Sequence, residues 1–121
     1  MTNYPEVTNM SDDEMNTELS AIIGEMVGEK FTESDKDADR LEAWVREKGV
    51  RVTWYYGRAY DNRQTYTVSL RLNSPALPSL LFGTETTGFG FTMGRALGEA
   101  VISIRRAIHP DLFRAFQRSK R

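Results

Sequence analysis

Apolar residues along this chain recur first at helical spacing, then at alternate positions, then at helical spacing again. Met15, Leu19, Ile22, Ile23 and Met26 fall three or four apart and predict a helix. Its opening, Ser11-Asp12-Asp13-Glu14, has the form of a capping box: Ser11 covers a free N–H and Glu14 returns a bond to the cap. Gly28 is the expected stop. Ser34-Asp35-Lys36-Asp37 offers a second cap, followed by Ala38, Leu41, Trp44 and Val45 on one face as far as Gly49. Val50, Val52, Trp54 and Tyr56 then alternate with Arg51, Thr53 and Tyr55, and Tyr66, Val68, Leu70 and Leu72 alternate with Thr65, Thr67, Ser69 and Arg71. This is the period of two strands with one face on a core, joined by a polar, flexible hairpin over residues 57–64. The segment 73–78 reads as a turn, 79–84 as a third strand, and Gly88-Phe89-Gly90-Phe91 as a loop or strand end. From Thr92 onward Met93, Leu97, Ala100, Val101, Ile104 and Ile108 repeat at helical spacing until His109-Pro110-Asp111 interrupts. Leu112, Phe113 and Phe116 then dock a short basic tail, leaving Arg118, Lys120 and Arg121 in solvent.

The expected fold is α+β, an antiparallel sheet of three to four strands with helices packed on it, in the order α-α-β-β-β-α plus a short C-terminal helix. Residues 1–10 carry Pro5 and no periodicity, and are expected to be a flexible lead-in to a single domain over 11–121. At 121 residues the chain is long enough to bury a core without staples.

Composition narrows the chemistry. With no cysteine, thiolate catalysis, Cys-ligated zinc, iron–sulfur clusters and disulfides are excluded. The single histidine, His109, excludes sites built from several imidazoles, and its place beside Pro110 argues against a Ser-His-Asp constellation. The four acids of the second half, Asp61, Glu85, Glu99 and Asp111, show no spacing suited to general acid/base work, and Glu99 is expected on the surface beside Arg95 or Arg106. A non-enzymatic protein without a cofactor is therefore expected. The start of the chain has neither the basic nor the apolar part of a signal peptide, and no apolar run is long enough to span a membrane, so a cytoplasmic location is expected.

Charge changes the picture most. Residues 1–50 hold thirteen acids against five bases, a balance of −8, whereas residues 51–121 hold four acids against eleven bases, a balance of +7. Ten of those eleven bases are arginine, interleaved with Trp54, Tyr55, Tyr56, Tyr60, Tyr66, Phe89 and Phe91. Arginine forks hold phosphates or carboxylates while rings stack on planar groups. The strand pair therefore offers a candidate ligand surface of Arg51, Tyr55, Arg58, Tyr60, Arg63 and Arg71. If Arg51 and Arg71 are cross-strand neighbours, their repulsion asks for an anionic partner or a local acid. The glycine-rich stretch 87–94 adds Gly88, Gly90 and Arg95, because a glycine loop before a helix N-terminus can take an anion, although it matches no phosphate-loop or dinucleotide fingerprint. Gly94 and Gly98, one helical turn apart, point either to close packing or to a ligand on the glycine stripe. The acidic helices either keep the chain soluble, imitate a phosphate backbone, or meet the basic half of another subunit in a homo-oligomer.

The acidic first helix resembles that of the small bacteriophage proteins of the α-β-α sandwich type. So do the second helix leading through Gly49 into Val50-Arg51-Val52-Thr53-Trp54, and the helix Arg95-Ala96-Leu97-Gly98-Glu99-Ala100-Val101. That resemblance implies a phage or prophage accessory protein acting in the host cytoplasm by sequestration or inhibition, with an antiviral defence component as one implied target, and it transfers no active site. The helix–three-strand–helix core also resembles a double-stranded-RNA-binding domain, but where those domains carry a lysine cluster this chain has Thr92-Met93-Gly94-Arg95. The expected partner is thus a nucleotide-like anion or an acidic face of a host protein, with a nucleic-acid-binding module or an oligomeric protein of phage assembly as alternatives.

Overall fold

In the computed structural model, which describes residues 7–24, 30–72 and 83–118, four helices pack on one face of a three-stranded antiparallel sheet. The order is α1 (Asp12–Ile23), α2 (Asp35–Glu47), β1 (Val50–Arg58), β2 (Gln64–Leu72), β3 (Thr84–Gly90), α3 (Met93–Ala107) and α4 (Pro110–Arg118). Helix α1 starts with the expected capping box: the Glu14 N–H donates to Ser11 Oγ and the Ser11 N–H to Glu14 Oε1, each at 3.1 Å. It closes earlier than expected, at Gly24, whose left-handed φ of 86° suits glycine and turns its N–H onto the Ser20 carbonyl. Met26 and Gly28 lie outside the described residues. Ser34 caps α2 by accepting the Asp37 N–H. Part of the expected lead-in is structured, because Val7–Asn9 form a 3-10 turn and Met10 is buried; residues 1–6 lie outside the described residues.

The sheet is a meander in the order β1-β2-β3. The hairpin between β1 and β2 is tighter than its polar composition suggested. Ala59 and Arg63 are joined by an N–H···O bond of 2.9 Å, the Asn62 N–H reaches the Ala59 carbonyl at 2.9 Å, and Asn62 takes φ 68°. This is the three-residue loop with a left-handed last residue, a position asparagine tolerates. The third strand is displaced from its expected place: of the segment 79–84 only Thr84 is a strand residue among those described, and 73–82 lie outside them. The strand instead covers Thr84–Gly90 and takes in most of the glycine stretch read as a loop or strand end.

Helix α3 lies against β3 and β2, and α1 and α2 pack against α3. Val68, Leu70 and Leu72 of β2 are fully buried together with Ala96, Ala100, Val101 and Ile104 of α3. Glycine makes this contact possible. A Cβ on Gly88 would overlap the Ala96 carbonyl oxygen, so β3 and α3 meet backbone to backbone. The glycine pair on α3 has the same cause. A Cβ on Gly94 would overlap the Phe31 carbonyl, and one on Gly98 would lie 2.8 Å from Leu19 Cδ1 and 2.9 Å from Met15 Sδ. Close packing therefore offsets the helix propensity that each glycine forgoes, about 1 kcal/mol relative to alanine. Helix α4 closes the far end, with Phe116 edge-on to Trp44 at 5.8 Å and Gln117 Nε2 donating to the Ile22 carbonyl at 2.6 Å. Among the described residues no helix is long and apolar enough to cross a membrane.

Candidate functional site: the open face of the sheet

Residues directly opposite each other in an antiparallel pair point to the same side, so register decides which side chains share a surface. Three rows form on the side away from α3. Arg51, Arg71 and Glu85 make the first, Thr53, Ser69 and Thr87 the second, and Tyr55, Thr67 and Phe89 the third. The helices cover the opposite face, so these rows stay accessible. Tyr55 is 58% exposed, Phe89 48% and the adjoining Phe91 43%. Aromatic side chains bury large apolar areas when they can, and such a cluster left in water is the feature of this surface that core packing does not explain.

Arg51 and Arg71 are cross-strand neighbours, as the alternation allowed. A local acid answers part of their repulsion: Arg71 Nε lies 3.8 Å from Glu85 Oε2, while Ser69 Oγ donates to Glu85 Oε1 at 3.0 Å. The Arg51 side chain has no ion-pair or hydrogen-bond partner among the described residues. The row therefore keeps one net positive charge, and Arg51 carries it on an exposed side chain.

At the hairpin end, the Arg63 guanidinium lies 3.9 Å over the Phe91 ring, and Phe91 meets Phe89 edge-on at 6.0 Å. Arg63 Nε also reaches Asp61 Oδ2 at 2.5 Å. The Arg63 backbone N–H, helped by its guanidinium, holds the Asp61 carboxyl below the ordinary carboxylate value. Arg63 thus extends the aromatic row with a flat cation whose charge is locally answered. Arg58 and Tyr60 stand apart from the rows. Arg58 Nη1 donates to the Asn62 carbonyl at 3.0 Å and steadies the loop, and Tyr60 is fully exposed at its tip.

The other expected site residues lie on the covered side. Gly88 and Gly90 are buried there, and their missing side chains admit α3 and the Arg95 stem, where a ligand was expected to approach. The α3 N-terminus is satisfied from within: Thr92 Oγ1 accepts the Arg95 N–H at 3.1 Å and donates to the Thr32 carbonyl at 2.6 Å. Arg95 turns to α1, with Nη1 3.2 Å from Asp12 Oδ1 and Nη2 2.5 Å from the Met10 carbonyl oxygen. In the same way Arg105 and Arg106 lie 3.6 Å from Glu18. The acidic first helix therefore answers the bases of α3 and leaves those of the sheet. Glu99 also departs from its expected surface position. It is buried, and burial pushes its pKa up against the opposing pull of Arg95 and of the Phe89 backbone.

Six members of the three rows, Thr53, Thr67, Ser69, Glu85, Thr87 and Phe89, were not among the expected site residues. The signal was present, since Glu85, Thr87 and Phe89 alternate with Thr86, Gly88 and Gly90. Two glycines on the inward positions made a strand look like a loop. Among the described residues no group of three or more His, Asp or Glu side chains is placed to hold a metal ion. No protein-family model, curated protein or solved structure matches the chain.

Proposed function

We propose that this chain is a non-enzymatic binding protein whose open sheet face takes a nucleotide-like anion, with Tyr55 or Phe89 stacking on the planar group and Arg51 and Arg71 holding its charge. The observation that carries this reading is the presence, on one face of one sheet, of two exposed rings and an arginine without a partner among the described residues. Rings and guanidinium groups together match a ligand that is flat at one point and anionic at another. The resemblance to small phage proteins would make the biological act one of sequestration or inhibition.

Titration of the full chain with ATP and with a mixed-sequence octanucleotide, followed by changes in the amide NMR spectrum, tests the proposal. Shifts should concentrate on the three rows, and the double variant Arg51→Ser, Arg71→Ser should weaken binding and flatten its salt dependence. Unchanged affinity in a double variant that still unfolds at the wild-type temperature would remove this face from consideration.

A further inference from the structure

We infer that the ligand of this face is a single-stranded oligonucleotide, whose successive bases stack on Phe89 and Tyr55, its backbone crossing the strands between the two rings and then turning along β1 past the hydroxyl row to Arg51. The inference rests on the binding role proposed above and specifies its ligand. Tyr55 and Phe89 flank Thr67 in one register row, so they are two strand spacings apart, about 10 Å. One base cannot lie flat on both rings at that separation. Two exposed rings are two seats, and a free mononucleotide has one base to fill them.

The axial spacing agrees. From the ring row to the arginine row is four residues, about 13 Å along an extended strand. A nucleoside monophosphate seated on a ring places its phosphate over the intervening Thr53, Ser69 and Thr87, short of Arg51. The next phosphate of a polymer reaches it. Hydroxyls beneath the backbone suit sugar and phosphate oxygens, and Ser69 already uses its proton on Glu85.

Electrostatics sets the manner of binding. The arginine row keeps one net positive charge, and Arg63 shares its charge with Asp61. The acids of α1 lie beyond α3, on the far side of the sheet, so they do not confront the strand. Stacking therefore carries most of the affinity, with two consequences: tolerance of sequence, since every base has a flat face, and a shallow salt dependence.

The test uses the full chain and fluorescently labelled U6 and dT6, with unlabelled UMP and ATP as competitors. Hexanucleotides should bind at least about tenfold more tightly than either mononucleotide, as expected when a second base stacks. Tyr55→Ala and Phe89→Ala should each weaken hexanucleotide binding by about tenfold, and Tyr55→Phe should restore it. The logarithmic salt slope should lie between about −0.7 and −1.4, the value for one or two phosphates on a single strand. A preference for U6 or for dT6 would assign RNA or DNA as the source, and equal binding would assign both. Mononucleotides binding as tightly as hexanucleotides, with the same variants affected, would overturn the polymer and leave the nucleotide-binding role standing. Failure of every probe to bind the folded wild-type chain would overturn both.

Discussion

The two faces of this sheet are made by the same three strands from alternate residues, and they solve opposite problems. The inner face carries Val68, Leu70, Leu72, Thr86 and Gly88, and meets a helix so closely that a strand glycine touches helix backbone. Even its polar member is occupied, since Thr86 Oγ1 donates to the Ala100 carbonyl at 2.9 Å. The outer face carries arginine, hydroxyls and exposed rings, and its charges are answered only in part. Stability and recognition are thus separated by one residue step along each strand. Away from the hairpin end, where Tyr56 is exposed and Thr65 buried, a substitution should therefore move folding and leave binding intact, or the reverse, according to parity.

Gly88→Val against Thr87→Val is the most severe test of that separation. The valine side chain at 88 has no room beside the Ala96 carbonyl, and should remove about 4 kcal/mol or more of unfolding free energy, a large share of the 5–15 kcal/mol of a typical domain. Thr87→Val, one step along on the exposed face, should stay within about 0.5 kcal/mol in the same urea titration. Equal effects would mean that the faces are not independent.

The pair Leu70→Ala and Ser69→Ala repeats the comparison in the central strand at smaller amplitude. Leu70 is fully buried, and its truncation should lower stability by about 2–5 kcal/mol, whereas Ser69→Ala should leave stability within about 0.5 kcal/mol. Ser69→Ala would act on the outer face alone, by releasing Glu85 from one of its two contacts.

Glu99 is the buried carboxylate on the inner side, and desolvation raises its pKa. Its pKa is raised in the fold, so the folded chain binds the proton more tightly than the unfolded one. Its contribution to stability is then most favourable at low pH and declines as pH rises from the ordinary carboxylate value through the raised one. Glu14 and Asp61 are shifted down and act with the opposite sign. The check is therefore a difference. Glu99→Gln keeps the shape of the side chain without its titrating proton and should abolish the component that falls with pH in that window, read by thermal unfolding at several pH values against wild type.

Glu85→Gln should have the smallest effect and sharpen the view of the outer face. It removes the single acid of the arginine row, which then holds two uncompensated charges. Stability should change by less than about 0.5 kcal/mol, and the logarithmic salt slope of oligonucleotide binding should steepen by about 0.7, one more phosphate engaged.

The sequence by itself determined the element order, the helix starts at Ser11 and Ser34, and the alternation of β1 and β2 that puts Arg51 and Arg71 on the polar side of their strands. These are local matters: caps act within one helical turn and alternation within one strand, so neighbouring residues contain the whole signal. Only the tertiary structure decided the nature of residues 84–90. Glycines at 88 and 90 are weak strand formers, and the reason for them is the backbone of α3, which no window around Gly88 contains. It also decided which arginines face the ligand surface. Charge along the chain counted Arg51, Arg71 and Arg95 alike, but a long side chain pairs with whatever carboxylate folding brings near it. Helix α1 brings Asp12 to Arg95 and nothing to Arg51.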